Sequence, residues 1–321
     1  MTLYILIIIQ NETFVPYGTA IYYSKDGNDC IIFKNTLKLQ DYRGSKIMTY
    51  EVKKYDNVIS IETRKQIARR YHRIIEIVNR EFWSMDNDTA HGLYVGSYGR
   101  GTAIDTSDID MLVEIPQEQH DRFSAYRWNG QSKFLQAVKD AILTTYPRSD
   151  IRADGQVVKV DFREGMKFEV LPAFSNVDWF GKVTYDFPDA NMGGHWDLTD
   201  PRSEQQAINE KDKSSNGLLR ATCKHIRALR AAFYPSYHLS GILIDSFVYE
   251  AMCNRYFPNG IRNSPAMLSK TFEQNLLNYY NEKSYYGKVP PFYVNAPGSC
   301  ASVVAIGGWE VLGKILNIMQ V

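Results

Sequence analysis

The stretch GSYGRGTAIDTSDIDMLVEI, residues 96–115, narrows what this chain can be more than any other. Asp108 and Asp110 stand one residue apart at the start of an apolar run. In a strand, residues two apart project to the same face, so the two carboxylates share a face while Ile109 points to the core. Met111, Leu112 and Val113 continue the run as a strand buried on both faces. Like charges that close repel unless something positive sits between them. The spacing suits a divalent cation of the magnesium type, which takes oxygen ligands and keeps room for substrate phosphates. The alternative is a turn-capping Asp108 in TSD with an incidental Asp110. Glu114, further along the same face, reads as solvated.

The preceding Gly-Ser turn weighs toward the metal. Gly96 lets backbone approach a ligand closely, and Ser97 offers both hydroxyl and amide to a phosphate. Gly99 and Gly101 keep the following turn slim, and Arg100 either stabilises that turn or reaches phosphate. The Gly-Lys-Ser/Thr ending of a Walker loop is missing. A phosphate cradle about ten residues before two metal-binding carboxylates is nonetheless more specific than either part alone. A third acid comes from MKFEVLPAF, where Glu169 is a single charge in an apolar strand, costly to bury unless paired or metal-bound. Asp161 in VVKVDF is the rival, but it sits beside a hairpin turn where exposure is cheap. Pro172 is expected to end the Glu169 strand.

The rest of the chain bounds the class. Its 321 residues suffice for one large domain or two packed lobes. A net charge of +1 excludes a polycation built to coat nucleic acid. Cys30, Cys223, Cys253 and Cys300 lie far apart, with no CxxC or Cys/His cluster for zinc and no disulfide framework, as suits a reducing cytoplasm. The apolar LYILIII at the start is too short to span a bilayer and lacks the flanks of a signal peptide. Residues 1–47 form an extension of unclear status: either Met48 is the true start, or the segment is a short β-appendage.

From Ser60 the patterns strengthen. SIETRKQIARRYHRIIEIVNREFW reads as an amphipathic helix, GLYVGS as a short strand ending in a tight turn, and SKFLQAVKDAILTTY as a helix capped by Ser132. GQVVKVDF and MKFEVLPAF pair through REG. After DLTDP the chain turns helical, with GLLRATCKHIRALRAAF and LSGILIDSFVYEAMCNRYF the clearest segments. The expected fold is α+β: an α/β lobe over residues 48–200 and a helical lobe over residues 201–321. The six histidines offer no Ser-His-Asp or Cys-His arrangement.

GSYGRGT, SDIDMLVEI and FEVLPAF together resemble the DNA polymerase β-like nucleotidyltransferase superfamily. Within it the chain is similar to the bacterial cGAS/DncV-like nucleotidyltransferases, the CD-NTases. The resemblance implies a polymerase β-like catalytic lobe with a mixed sheet, packed on the helical lobe. It implies template-independent joining of ATP or other nucleoside triphosphates into a cyclic di- or trinucleotide second messenger. Gly96 and Ser97 would hold the triphosphate, and Asp108, Asp110 and Glu169 would bind two Mg²⁺ ions, with Mn²⁺ as a substitute. Many members carry Asp as the third acid. Lys224 would reach the triphosphate tail, followed by Ser240 in the next helix. The bland reading of Arg220, Lys224 and Arg227 is a solvated basic stripe. Gly241 stands where many relatives place a base-stacking aromatic, which leaves stacking to Tyr237 or Tyr94. The family setting is cytoplasmic antiphage signalling, with a regulatory protein or a nucleotide-sensing effector as partner and no stable nucleic acid or membrane partner. The alternatives are another enzyme of the superfamily, adding AMP to protein or nucleotides to RNA, and a non-enzymatic antitoxin or RNA-binding relative.

Overall fold

A computed structural model describes residues 59–254, 271–286, 292–299, 302–305 and 307–320, together with Val52 and the backbone of six short strands before it. Those strands pair as β1 (Ile8–Ile9) with β2 (Glu12–Thr13), β3 (Thr19–Tyr23) with β4 (Cys30–Lys34), and β5 (Leu37–Leu39) with β6 (Met48–Tyr50). Beyond these pairings, the expectation about residues 1–47 lies outside the described residues.

Helix α1 (Ile61–Phe82) starts where Ser60 accepts a hydrogen bond from the Thr63 backbone N–H at 3.0 Å. It buries Ile67, Tyr71, Ile74, Ile75 and Val78, the face expected from the 3.6-residue period. Strand β7 (Gly92–Tyr94) leads into a single turn, α2 (Gly96–Gly99), and then into β8 (Ile109–Glu114). Met111, Leu112 and Val113 of β8 are at most 1% exposed, so this strand is covered on both faces as read. Helix α3 (Gln117–Ser124) begins after Pro116, and α4 (Gly130–Thr145) follows. Ser132 does not cap α4. The cap lies three residues earlier, at Asn129, with no side-chain cap bond. Gly130 allows that start, because any Cβ there would lie 2.1 Å from the Phe123 carbonyl oxygen.

Five more strands complete the sheet: β9 (Asp150–Asp154), β10 (Val157–Asp161), β11 (Lys167–Val177), β12 (Val183–Asp189) and β13 (His195–Thr199). The order β13-β12-β11-β10-β9 is antiparallel throughout, while β8 joins β11 in parallel and β7 joins β8. Pro172 does not end β11. Its missing N–H falls after β10 has released the strand at Val170 and before β12 takes over at Phe174, so no antiparallel ladder bond is lost there.

Helices α1 and α4 cover one sheet face around Ile74, Phe134, Val160 and Phe168. A second core forms among α5 (Pro201–Ser214), α6 (Leu218–Phe233), α7 (Gly241–Asn254), α8 (Phe272–Tyr286) and α9 (Gly308–Ile318), where Ile226, Phe247 and Leu312 are fully buried. Asp200 caps α5 by accepting from the Ser203 N–H, and Pro201 occupies its first turn, so the change to helical structure comes where DLTDP placed it. Strands β14 (Tyr293–Asn295) and β15 (Ser302–Val304) pair beside this core. Val52, from before α1, is buried in the helical core, so that core draws on chain from both ends.

Candidate active site

The open face of the sheet and the helical core enclose a cleft of about 570 Å³, within the size range of ligand sites. From the sheet side it is lined by Gly96, Ser97, Asp108, Asp110, Glu169, Leu171 and Phe187, and from the helices by Glu204, Arg227, Arg230 and Gly241. Strand register sets the three acids on one face, although their ligand atoms do not all lie within 4.8 Å of one another. Asp110 and Glu169 are directly paired residues of the parallel strands β8 and β11, and Asp108 lies just before β8 on the same face. Ser107, not Asp108, closes the TSD turn, its hydroxyl accepting from the Ile104 N–H at 3.1 Å. Asp108 is exposed and lines the cleft.

The electrostatics mark this cluster as short of positive charge. Burial first, and then the neighbouring Glu169 carboxylate, push the Asp110 carboxyl up to about 7, against the opposing pull of Arg100 and the Ser97 N–H. Burial also raises Glu169, helped by Asp108 and opposed by Lys159. Lys159 is the strand partner of Glu169 on β10, with its ammonium 3.6 Å from that carboxylate and 2.6 Å from Asp154. Asp161 shares the Glu169 face of β10 but pairs opposite Lys167, and Arg152 holds its carboxylate at 3.1 Å. It is not among the cleft residues.

Gly96 is required by space as well as by conformation. Its φ is +56°, and a Cβ there would lie 1.8 Å from Asp110 Oδ2. The turn is closed by the Thr102 and Ala103 N–H groups on the Ser97 carbonyl, at 2.9 and 3.1 Å. Oxygen-only donors, a carboxyl pushed up by burial and by its neighbouring carboxylates, and a slot too tight for a side chain fit a hard divalent metal at Asp108, Asp110 and Glu169.

Not every residue singled out in the sequence reaches the cleft. Lys224 is part-buried on α6 and is not among the lining residues. Ser240 stands at the start of α7 and accepts from the Leu243 N–H at 3.4 Å; its neighbours Leu239 and Gly241 line the cleft. Tyr94 stacks on Tyr71 with ring centroids 3.9 Å apart, which occupies one of its faces. Tyr237 is 52% exposed, and its carbonyl accepts two bonds from Arg230.

The basic stripe on α6 is not a solvated face. Arg227 is 7% exposed and donates to Asp245 at 2.6 Å, and Arg220 donates to the Arg100 carbonyl at 2.9 Å. Asp245, fully buried on α7, also accepts from Arg100 Nε at 2.9 Å and from the Thr102 hydroxyl at 2.8 Å. Burial alone would raise its carboxyl, but Arg227 and Arg100 hold it down at about 2. Arg100 in addition donates to Glu204 at 2.9 Å. Sequence reading missed Asp245, although GILIDSFV carries the same signal as FEVL, one charge in an apolar run. Phe187 and Arg230 were missed as cleft residues and had no distinguishing local pattern.

Among the described residues, the one three-ligand group with all ligand atoms within 4.8 Å of one another is Asp189, His195 and Asp197. It lies at the outer end of the β12–β13 hairpin. Asp189 there already accepts from Gln156 at 2.9 Å and from the Asn191 N–H at 2.8 Å.

The fold is that of the CD-NTases. The CdnE cyclic dinucleotide synthase of Elizabethkingia meningoseptica, solved with GTP and Apcpp, superposes with a TM-score of 0.54 at 11% identity, over 78% of this chain and 89% of that one. A STING-associated CdnE c-di-GMP synthase from Capnocytophaga granulosa gives 0.54 at 16% identity, over 83% and 85%. CdnC of E. coli MS115-1, solved with ATP, gives 0.54 at 14% identity, over 83% and 86%. No curated protein sequence matches the chain. Residues 52–212, half of the chain, match the Second Messenger Oligonucleotide or Dinucleotide Synthetase domain, and the chain belongs to that family of nucleotidyltransferases, the cyclic oligonucleotide synthases.

Proposed function

We propose that this nucleotidyltransferase joins nucleoside triphosphates without a template into a cyclic di- or trinucleotide by two-metal catalysis. The observation that carries the reading is the register that sets Asp110 beside Glu169, with Asp108 on the same face and the Gly96–Ser97 turn against them. Two divalent cations, Mg²⁺ or Mn²⁺, held by Asp108, Asp110 and Glu169, would acidify the attacking ribose hydroxyl and neutralise charge on the α-phosphate and departing pyrophosphate. The chain's own work is mostly positioning. Gly96 and Ser97 receive the triphosphate, Arg227 and Arg230 face it from the helical lobe where Lys224 and Ser240 do not line the cleft, and Glu169 accepts the hydroxyl proton. Each of the ring-building steps forms one ribose O–P bond and breaks one P–O bond to pyrophosphate.

Lobe boundaries near residues 48, 200 and 321 and a cytoplasmic setting in antiphage signalling belong to the same proposal. Among the described residues no helix is long and apolar enough to cross a membrane. CdnC of E. coli MS115-1 has been solved in complex with a HORMA protein, at a TM-score of 0.50 and 14% identity. A regulatory protein partner is proposed here on that precedent, with a nucleotide-sensing effector downstream.

The test is mass spectrometry of products formed from four mixed nucleoside triphosphates with Mg²⁺, beside the Asp108→Ala/Asp110→Ala double variant. A short cyclic product made by the wild type alone supports the proposal. Labelled protein or lengthened RNA as the sole product transfers the chain to another activity of the superfamily. No triphosphate turnover under any of these conditions leaves the non-enzymatic reading.

A further inference from the structure

The buried charges around Asp245 are not used by the chemistry above, yet they connect its parts. Asp245 belongs to α7 in the helical core, is fully buried, and is reached by three donors. Two of them, Arg100 Nε and the Thr102 hydroxyl, come from the loop that closes the Gly-Ser turn. The third, Arg227, comes from α6 and lines the cleft. Arg100 and Thr102 also hold the turn through their backbones: the Arg100 N–H donates to the Gly96 carbonyl at 3.1 Å and the Thr102 N–H to the Ser97 carbonyl at 2.9 Å. Two of the residues that close the turn, Arg100 and Thr102, are therefore anchored by their side chains to one carboxylate in the opposite lobe.

Gly241 extends the same arrangement. Arg227 Nη2 donates to the Gly241 carbonyl at 2.9 Å, and a Cβ at position 241 would lie 2.9 Å from that same nitrogen. An aromatic after Ser240 would have to displace that guanidinium.

We propose that Asp245 is a positioning residue, a latch that fixes the Gly96–Ser97 turn and Arg227 to the helical lobe in the arrangement that receives a nucleoside triphosphate. The idea rests on the proposed function for its ligand. Its logic is pre-organisation: a buried, fully bonded ion network fixes donors before the ligand arrives, so the ligand bears less of the cost of ordering them. A network that served folding alone would leave ligand affinity untouched.

Two variants separate these roles. Asp245→Asn keeps size and a hydrogen-bonding side chain but removes the charge that both guanidiniums face. Gly241→Ala leaves every charge in place and favours the helix, yet its Cβ pushes the flexible end of Arg227 aside. The readouts are the calorimetric Kd of α,β-methylene-ATP with Mg²⁺, the KM and kcat for triphosphate, and thermal melting. Asp245→Asn should raise Kd and KM in parallel by at least about tenfold. Gly241→Ala should raise them about threefold or more, with melting lowered less than in Asp245→Asn. Lowered melting in Asp245→Asn with Kd unchanged in both variants overturns the latch. If Asp245→Asn does not fold, Gly241→Ala decides alone, an unchanged Kd refuting the proposal. A wild type that binds the analogue but makes no cyclic product sinks the proposed function and leaves the latch to be judged by Kd. A wild type that does not bind it sinks both.

Discussion

Asp110→Asn should stabilise the metal-free protein while abolishing its activity. The Asp110 carboxyl titrates at about 7 in the folded chain, against an ordinary value of 3.8. The interval corresponds to about 4 kcal/mol at roughly 1.4 kcal/mol per unit, and halving it for solvent screening at a part-buried cleft group leaves about 2 kcal/mol. The sign follows from proton counting. Below 3.8 both states hold the proton and the group contributes nothing. Between 3.8 and about 7 the folded protein holds a proton that the unfolded chain has lost, so stability falls as pH rises through that window. Above it the full penalty is present. An amide of the same shape carries no charge at any of these pH values and still accepts from the Ser97 N–H. Urea unfolding in EDTA should therefore show the variant more stable by about 2 kcal/mol at about pH 8, with the gap closing toward about pH 4. Turnover with Mg²⁺ should fall at least about a thousandfold, as expected for loss of several kcal/mol of transition-state stabilisation. A variant less stable than wild type at pH 8, or a gap that does not change with pH, would refute the argument that this carboxylate lacks a counter-charge.

Three further outcomes follow from the same geometry. Glu169→Gln should lower kcat at least about a hundredfold while Asp161→Asn stays within about threefold; the reverse result in steady-state assays would move the third ligand to β10. Lys159→Met removes a resident cation 3.6 Å from Glu169, and should lower the Mg²⁺ concentration at half-maximal rate severalfold, with an unchanged or higher value counting against that competition. Turnover should be insensitive to added duplex DNA, because net charge is near zero and no Cys/His cluster is present in the sequence; stimulation that falls steeply with salt, as phosphate contacts do, would contradict this.

How much of this was legible beforehand differed by residue for physical reasons. The β8 strand and its two carboxylates could be read because alternation and an apolar run are local properties, and Ile109 to Val113 obey them. Pro172 misled because a proline is costly only where its N–H would have bonded, which depends on partners the sequence does not name. Strands β12 and β13 escaped notice since their residues are mostly part-exposed, weakening the alternation, and Pro188 interrupts the pattern. The stripe Arg220, Lys224 and Arg227 had the correct helical spacing, but spacing gives only which residues share a face. What that face meets, Asp245 for one residue and the Arg100 carbonyl for another, is tertiary information.

Asp110 and Asp245 show how the same signal divides. Each is a lone carboxylate in an apolar segment, and each pays the desolvation penalty that raises a buried acid. Asp245 meets two guanidiniums and a hydroxyl, and its carboxyl ends near 2. Asp110 meets two further carboxylates, and its carboxyl ends near 7 despite Arg100, whose side chain is committed to Asp245 and Glu204. A carboxylate whose fold supplies its cations is complete within the chain. One whose fold engages Arg100 elsewhere and adds more negative charge carries a penalty as an anion that a cation from solution would relieve. The arginine that bonds to Asp245 and Glu204 thus reaches Asp110 only through space, so the bonded ion network and the raised Asp110 carboxyl are two results of one placement.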